Sequence, residues 1–443
     1  LIHSKMGPTI LVIGAGKSAT VLIQYLQKKA VENDWYILLA DGDLATATNK
    51  WNNAPNGTAL GIDIENEKER QNLVQKATIV VSMLPASLHF LVAKDCLTYE
   101  KPLFTASYVD DNMRSIASEI DAKKLLFLCE MGLDPGIDHM SAMAIIDAVH
   151  AKGGKITSFK SHCGGLIAPE SDNNPWHYKI SWNPKNIILA GKAGAIYLEN
   201  GATVTKDYPE IFNQTPIVKV PGIGALAYYP NRNSLSYIDT YHLHGIKDFV
   251  RTTLRYPAFC TGWNAIVQLQ LTDENCIDLP PNTSIQQWFE GHIQKNALEA
   301  TLADLKKEEK LAAQLNYIGL EATTIIPTQY NSNAAILQWI LEDKWKLAAT
   351  DKDLVVMLHE IEYKIGDRPY KLESSMVLTG EDAIQTAMAK TVGLPLAMGV
   401  CAYLKGSIKM TGLHIPIDKR IYNPILKSLA EEGIIFQETL TSY

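Results

Sequence analysis

The feature that most restricts the fold is an apolar run, Thr9–Ile13, followed at once by Gly14-Ala15-Gly16-Lys17-Ser18-Ala19. The run reads as a strand buried on both faces. The second run matches G-x-G-x-x-A and opens a helix expected from about Ser18 to Lys29. In this pattern the first glycine makes the tight turn, and the second lets a pyrophosphate approach N–H groups at the positive helix end. The small Ala19 allows close helix–strand packing. Asp41 stands 22 residues after Ala19, at the end of a second predicted strand, Trp35–Ala40. An acidic residue there accepts hydrogen bonds from the adenosine ribose. It also repels a 2′-phosphate, and no adjacent Arg offsets it, so the pattern favours NAD over NADP. A glycine-rich turn with a merely solvated Asp fits this context less well. Further apolar runs at Ile79–Leu84, Leu103–Ala106 and Leu125–Cys129 alternate with helical stretches. They predict an α/β, doubly wound parallel sheet over residues 6–130.

At 443 residues the chain exceeds one ordinary core, so two or three domains are expected. A net charge of −7 without a dense Lys/Arg tract argues against a nucleic-acid partner. No run of about 18 uninterrupted apolar residues occurs, so no membrane span is expected. The N-terminus lacks a signal-peptide pattern. Leu1–Lys5 precede the first methionine, Met6, and whether they are native is left open. The six cysteines, at 96, 129, 163, 260, 276 and 401, form no Cys-x-x-Cys pair. That spacing predicts neither a metal site nor a disulfide framework, and a cytoplasmic setting.

Beyond the first sheet, Asp138–Lys152 reads as a helix ended by Gly153-Gly154. Residues 155–260 are strand-like, 284–315 helical, and Val355–Tyr363 with Pro369–Leu378 form a hairpin around Gly366-Asp367. Glu381–Val392 reads as a helix broken by Gly393-Leu394-Pro395, with another helix following. The expected domains are a dinucleotide-binding unit, 6–130; a mixed α/β substrate domain, 131–260 with 351–390; a helical insertion, 261–350; and C-terminal helices, 391–443, packing back on the first unit. Five polar runs interrupt the apolar pattern: Glu130–His139, Thr105–Tyr108, Ser161–Gly165, Pro230–Asn233 and Thr253–Tyr256. Asp134 before Pro135-Gly136 reads as a turn residue or a functional carboxylate. Cys163 reads as a small buried hydrophobe or a reactive thiol. Arg232 and Arg255 lie beside apolar runs, which favours an anionic ligand over a surface ion pair.

These runs strongly resemble the saccharopine dehydrogenase (L-glutamate-forming) family, including the second half of the bifunctional lysine-degradation enzyme. The resemblance rests on GLDPGIDHM, HCGG (where the family more often has Tyr at the position of His162), NNP followed by YK and SWNP, PNRNSL, RTTLRYPAF and AKTVGLP. It implies a Rossmann domain, a mixed α/β domain and a smaller helical domain, in a homodimer. It implies cofactor contacts at Gly14, Ala15, Gly16, Lys17, Asp63, Ile64, Ser82, Leu84 and Pro85. It implies substrate contacts at Ser107, Tyr108, Asp134, Arg232, Thr253, Leu254 and Arg255. The family's fungal reductases carry an Arg after the second strand and use NADP; here that place reads Asp41-Gly42-Asp43. The implied substrate is saccharopine, a secondary amine bearing three carboxylates, oxidised to an imine and hydrolysed to glutamate and 2-aminoadipate 6-semialdehyde. Asp134, Tyr108 and Cys163 are the expected acid–base groups, with His162 peripheral and His139 packing only. Two alternatives stay open: a related imine-reducing dehydrogenase of the carboxynorspermidine or homospermidine type, and a catalytically silent NAD-binding scaffold.

Overall fold

Strand β1 is Thr9–Ile13, and its Ile10, Leu11, Val12 and Ile13 are sealed from solvent, as a central parallel strand requires. This computed structural model describes residues 7–442, so the question about Leu1–Lys5 lies outside the described residues. Strands β2 (Tyr36–Asp41), β3 (Gly57–Gly61), β4 (Ile79–Ser82), β5 (Leu103–Thr105) and β6 (Leu126–Leu128) join β1 in a seven-stranded sheet. The seventh strand is Gly412–His414, and the spatial order is Gly412–His414, β6, β5, β4, β1, β2, β3, with every pairing parallel. The strand order reverses between β1 and β4, and the crevice at the carboxyl ends of such strands is where open sheets take ligands. A short 3-10 turn, Lys17–Ala19, leads into helix α1 (Thr20–Asn33).

The chain divides into two compact units, one made of residues up to Gly154 plus Ile384–Ile435, the other of Lys155–Ala383 plus the residues from Phe436. The boundary therefore falls at 154 rather than at 130. The reason is local: Met131 N–H donates to the Thr105 carbonyl at 3.1 Å, and Tyr422 Oη donates to Asp147 Oδ2 at 2.5 Å. These bonds fasten the 131–136 loop and the helix Ile137–Ala151 to the first unit. The expected break at Gly393-Leu394-Pro395 is also corrected. Ala387–Leu404 is one helix with Pro395 inside it, capped by Thr386. Gly393 serves packing, since a β-carbon there would meet the backbone N of Leu22 on α1 at 2.8 Å. This helix is long and apolar enough to cross a membrane by length and composition, yet most of it is buried within the fold.

The second unit is built on a ten-stranded mixed sheet. Its strands are β7 (Gly154–Ile167), β8 (Ala195–Glu199), β9 (Ala202–Lys206), β10 (Ile217–Val220), β11 (Gly224–Pro230), β12 (Arg232–Asn233), β13 (Asp248–Arg255), β14 (Asp353–Ile365), β15 (Arg368–Thr379) and finally Gln437–Ser442. The main path runs β10, β11, β13, β7, β14, β15, Gln437–Ser442. The predicted hairpin is β14–β15, turning at Gly366 with φ +59°. The helical stretch of 261–350 forms no core of its own. Its Trp263, Trp288 and Leu337 share one apolar cluster with Trp176, Tyr178, Ala227 and Tyr229.

Candidate active site

The first group of functional residues surrounds the glycine turn. Gly14 has φ +106°, and a β-carbon there would press on the Met83 carbonyl at 2.8 Å. A β-carbon at Gly16 would meet nothing within 4 Å, so this position opens onto the space a pyrophosphate would fill. The first N–H groups of the following helix have no intrahelical partner and face such an anion. Asp41 lies at the β2 end, where Oδ2 accepts from Ala15 N–H at 2.6 Å and Oδ1 from Asp43 N–H at 2.9 Å. A carboxylate has about four lone-pair sites, so two stay available to ribose hydroxyls. Asp43 instead caps the helix Leu44–Trp51, and its hydrogen bond to Thr46 holds its carboxyl below the usual range. The residues present therefore fit a dinucleotide.

The remaining expected cofactor contacts differ in kind. Lys17 and Asp63 are exposed, Leu84 half-buried and Pro85 exposed, all just past strand ends of the sheet. Ile64 gives its carbonyl to the Arg70 guanidinium at 2.7 Å and packs on the sheet core. The side chain of Ser82 is engaged elsewhere: Oγ bonds His89 Nδ1 at 2.8 Å. Burial lowers the His89 pKa to about 4, which keeps its ring neutral.

The second group joins β5 to the loop after β6. Tyr108 Oη donates to Asp134 Oδ1 at 3.2 Å, so two of the expected acid–base residues meet directly. Ser107 precedes them, half-buried, its N–H donating to Thr105 Oγ1 at 3.2 Å. The Asp134–Pro135 peptide is cis. Gly136 has φ +147°, and a β-carbon there would meet the Gly132 carbonyl at 2.0 Å, so only glycine closes this turn. Glu130, which opens the Glu130–His139 run, and His139, expected only to pack, are both buried and bonded to one another at 2.8 Å.

The third group lies on the second unit's sheet. Cys163, Thr253 and Tyr229 stand side by side across β7, β13 and β11. Alternation along β13 turns Thr253 and Arg255 to one face and Leu254 to the other. Leu254 accordingly enters an apolar cluster with Leu166, Leu226 and Leu358, and only its carbonyl serves Arg255, accepting from Nη1 at 2.8 Å. Arg255 is 4% exposed. Its guanidinium lies 5.3 Å from the ring centres of both Tyr178 and Phe259. Among the described residues no carboxylate pairs with it, and its buried Nε–H has no acceptor. Arg232 is exposed, on the short strand beside β8. Arg251 was missed, although its spacing from Thr253 and Arg255 puts it on the same face of β13; it is buried, with its guanidinium 4.3 Å from the Tyr237 ring centre.

His162, expected to be peripheral to the chemistry, lies on the face of β7 opposite Cys163 and makes polar contacts there. It is fully buried, with Nδ1 bonded to Thr252 Oγ1 at 2.7 Å and Nε2 to Glu360 Oε2 at 3.1 Å. Glu360 pairs onward with Lys371 at 3.1 Å, and Lys371 with Glu373 at 2.7 Å. The hydrogen bond from His162 holds the Glu360 carboxyl down at about 2. Cys163, its neighbour, points the opposite way across the strand.

A doubly wound sheet with a glycine turn after its first strand and an acidic residue at the end of its second is the arrangement of a nicotinamide-dependent oxidoreductase. The chain belongs to the saccharopine dehydrogenase family. Sequence profiles for the saccharopine dehydrogenase NADP binding domain and C-terminal domain match residues 10–128 and 132–434. The NADP(+)-dependent, L-glutamate-forming saccharopine dehydrogenase of Schizosaccharomyces pombe is 30% identical over 98% of this chain and 99% of its own. The mouse mitochondrial alpha-aminoadipic semialdehyde synthase is 31% identical over 98% of this chain, which spans 48% of that longer protein. The solved structure of apo saccharopine dehydrogenase (L-Glu forming) from Saccharomyces cerevisiae superposes with a TM-score of 0.88 at 27% identity, covering 98% of this chain and 100% of that one.

Proposed function

We propose that this protein oxidises saccharopine with NAD, forming L-glutamate and 2-aminoadipate 6-semialdehyde in lysine metabolism. The observation that carries this reading is Arg255, a buried guanidinium without a carboxylate of its own among the described residues. Leaving such a cation unpaired is costly unless a ligand anion completes it. Saccharopine offers three carboxylates, and Arg232 supplies a second cation. Polyamine-type imines offer fewer carboxylates and so match two arginines less well. A silent scaffold has no use for either arginine.

NAD held by the Gly14-Ala15-Gly16-Lys17 turn and Asp41 would supply the hydride acceptor for oxidation of the lysine-derived carbon attached to the bridging nitrogen. The residues of this chain manage the protons. The Asp134 carboxylate stabilises the secondary ammonium, and Tyr108, bonded to it, relays the proton that leaves nitrogen. Water then adds to the imine carbon, and the carbon–nitrogen bond breaks, so nitrogen departs with glutamate and the carbon becomes an aldehyde. Cys163, beside Thr253 in the sheet, is the further proton-handling candidate. The Schizosaccharomyces pombe relative carries NADP(+) in its name, and the profile that matches residues 10–128 is that of an NADP binding domain. In this chain Asp41, anchored to the glycine turn by Ala15 N–H, supports NAD through its repulsion of a 2′-phosphate.

The test is absorbance at the reduced-nicotinamide band with saccharopine and either cofactor. Turnover with NAD exceeding that with NADP is expected. No turnover with either cofactor overturns the substrate, and better turnover with NADP overturns the cofactor choice.

A further inference from the structure

We infer that Glu130 is the positioning residue for the Tyr108–Asp134 pair, tying the loop that bears Tyr108 to the turn and helix that bear Asp134. The inference rests on the proposed reaction for its kinetic consequences and on geometry for the tie itself. Glu130 is 3% exposed and has φ +57°, a backbone conformation uncommon for a residue with a β-carbon. Its N–H donates to the Ser107 carbonyl at 3.0 Å, and its Oε1 accepts from Val109 N–H at 3.0 Å. Tyr108 is thus held from the residue before it and the residue after it by one side chain and its own backbone. The second oxygen, Oε2, bonds His139 Nε2 at 2.8 Å. His139 lies in the first turn of the helix Ile137–Ala151, which starts directly after the Asp134-Pro135-Gly136 turn. Its neighbour Asp138 closes the arrangement, accepting from Gly136 N–H at 2.6 Å through Oδ1.

Chemistry explains why glutamate stands here. A carboxylate has two equivalent acceptor oxygens and serves Val109 N–H and His139 together. A carboxamide has one acceptor and offers a donor on the other side. Aspartate is a methylene shorter and does not span both partners. Neither substitution removes a group that reaches substrate, so the effect passes through the alignment of Tyr108 and Asp134. Misplacement of a reacting group by about 1 Å costs roughly 10²-fold in rate.

The experiment compares Glu130→Gln, Tyr108→Phe and the double variant with saccharopine, and measures amide hydrogen exchange on the same proteins. Glu130→Gln is expected to lower kcat about 10²-fold while the cofactor KM stays within about twofold. The double variant is expected to be no slower than the slower single variant, because both changes disable one unit. Exchange in the 105–110 segment is expected to quicken in Glu130→Gln, with the 14–19 segment unchanged. Multiplying losses in the double variant, or unchanged exchange at 105–110, overturns the inference. If Glu130→Gln does not fold, His139→Gln removes the other end of the tie and is held to the same two readouts. If the unmodified protein does not act on saccharopine, the proposed reaction fails, and the exchange measurement alone decides whether Glu130 holds the loop.

Discussion

Arg255 shows how a single residue carries both a cost and a use. Its contacts with the Tyr178 and Phe259 rings and its Nη1 bonds to the Leu254 and Gly165 carbonyls, at 2.8 and 3.4 Å, offset only part of the loss of water. Arg255→Lys is expected to raise the saccharopine KM by an amount equivalent to about 1.5–3 kcal/mol, with the cofactor KM unchanged, because an ammonium cannot reproduce the planar fork. Steady-state kinetics with each substrate varied in turn checks this, and equal KM values would remove Arg255 from the substrate site. Asp134→Asn is expected to lower kcat/KM about 10²-fold and to abolish the acidic limb of the pH–rate profile. A near-normal rate with an unchanged profile would leave Asp134 as a turn residue only. At the β2 end, Asp41→Ser combined with Gly42→Arg is expected to turn cofactor preference toward NADP; the ratio of kcat/KM values for the two cofactors reads it. Some of these residues were legible in the sequence because turn chemistry and spacing expose them, as with Gly14, Gly136 and Asp134. Others were not. Nothing local in the sequence shows that the Ser82 hydroxyl bonds His89, or that Glu130 and His139 meet, since those bonds are made only when the chain folds.

Among the elements, β7 and β14 carry the buried His162–Glu360 contact. His162 followed from the sequence only as a departure from a family tyrosine, yet alternation along β7 puts it on the face opposite Cys163 and into a polar relay. The folded protein holds the Glu360 carboxyl at about 2, against an ordinary 4.5, so folding favours its anion. The stabilisation is therefore present in full above about 4.5 and is lost as pH falls toward about 2, on the order of 3 kcal/mol at most. Glu360→Gln is expected to be less stable than the unmodified protein near neutral pH, with the difference shrinking across that acid window. Denaturant unfolding at a series of pH values checks it, and a difference that does not change with pH would refute the role of the charge. Elsewhere the elements followed the pattern where it was strongly periodic, as in β14–β15 around Gly366. The pattern misled at Gly393 and Pro395, where two helix breakers sit within one buried helix. Gly393 is there for close approach to α1, and a proline within a helix is tolerated when tertiary packing offsets the lost hydrogen bond.

At the scale of the molecule, the first unit is discontinuous, and this was only partly legible. The fingerprint and its alternating strands identify the N-terminal sheet, but three-residue strands such as Gly412–His414 carry too little pattern to be assigned to a sheet whose other strands end near residue 130. The consequence is that all the cofactor contacts expected from the sequence lie between Gly14 and Pro85, while the sheet that positions them is finished by residues after 384. The helix Ala387–Leu404 buries Leu394, Leu396, Met398 and Val400, and its Gly393 and Gly399 admit Leu22, Met131 and Phe104 at close range. Removing this helix together with the strand Gly412–His414 exposes the apolar face of α1 and leaves β6 as an open edge, the kind of edge that invites aggregation. A chain ending at Ala383 keeps every expected cofactor-contact residue and is nonetheless expected to lose NAD binding and cooperative melting. Near-UV circular dichroism, a thermal melt and NADH fluorescence on that truncated chain measure this. A soluble product that melts in one sharp transition and binds NADH as the full chain does would show that the N-terminal sheet is complete without its C-terminal strand and helix.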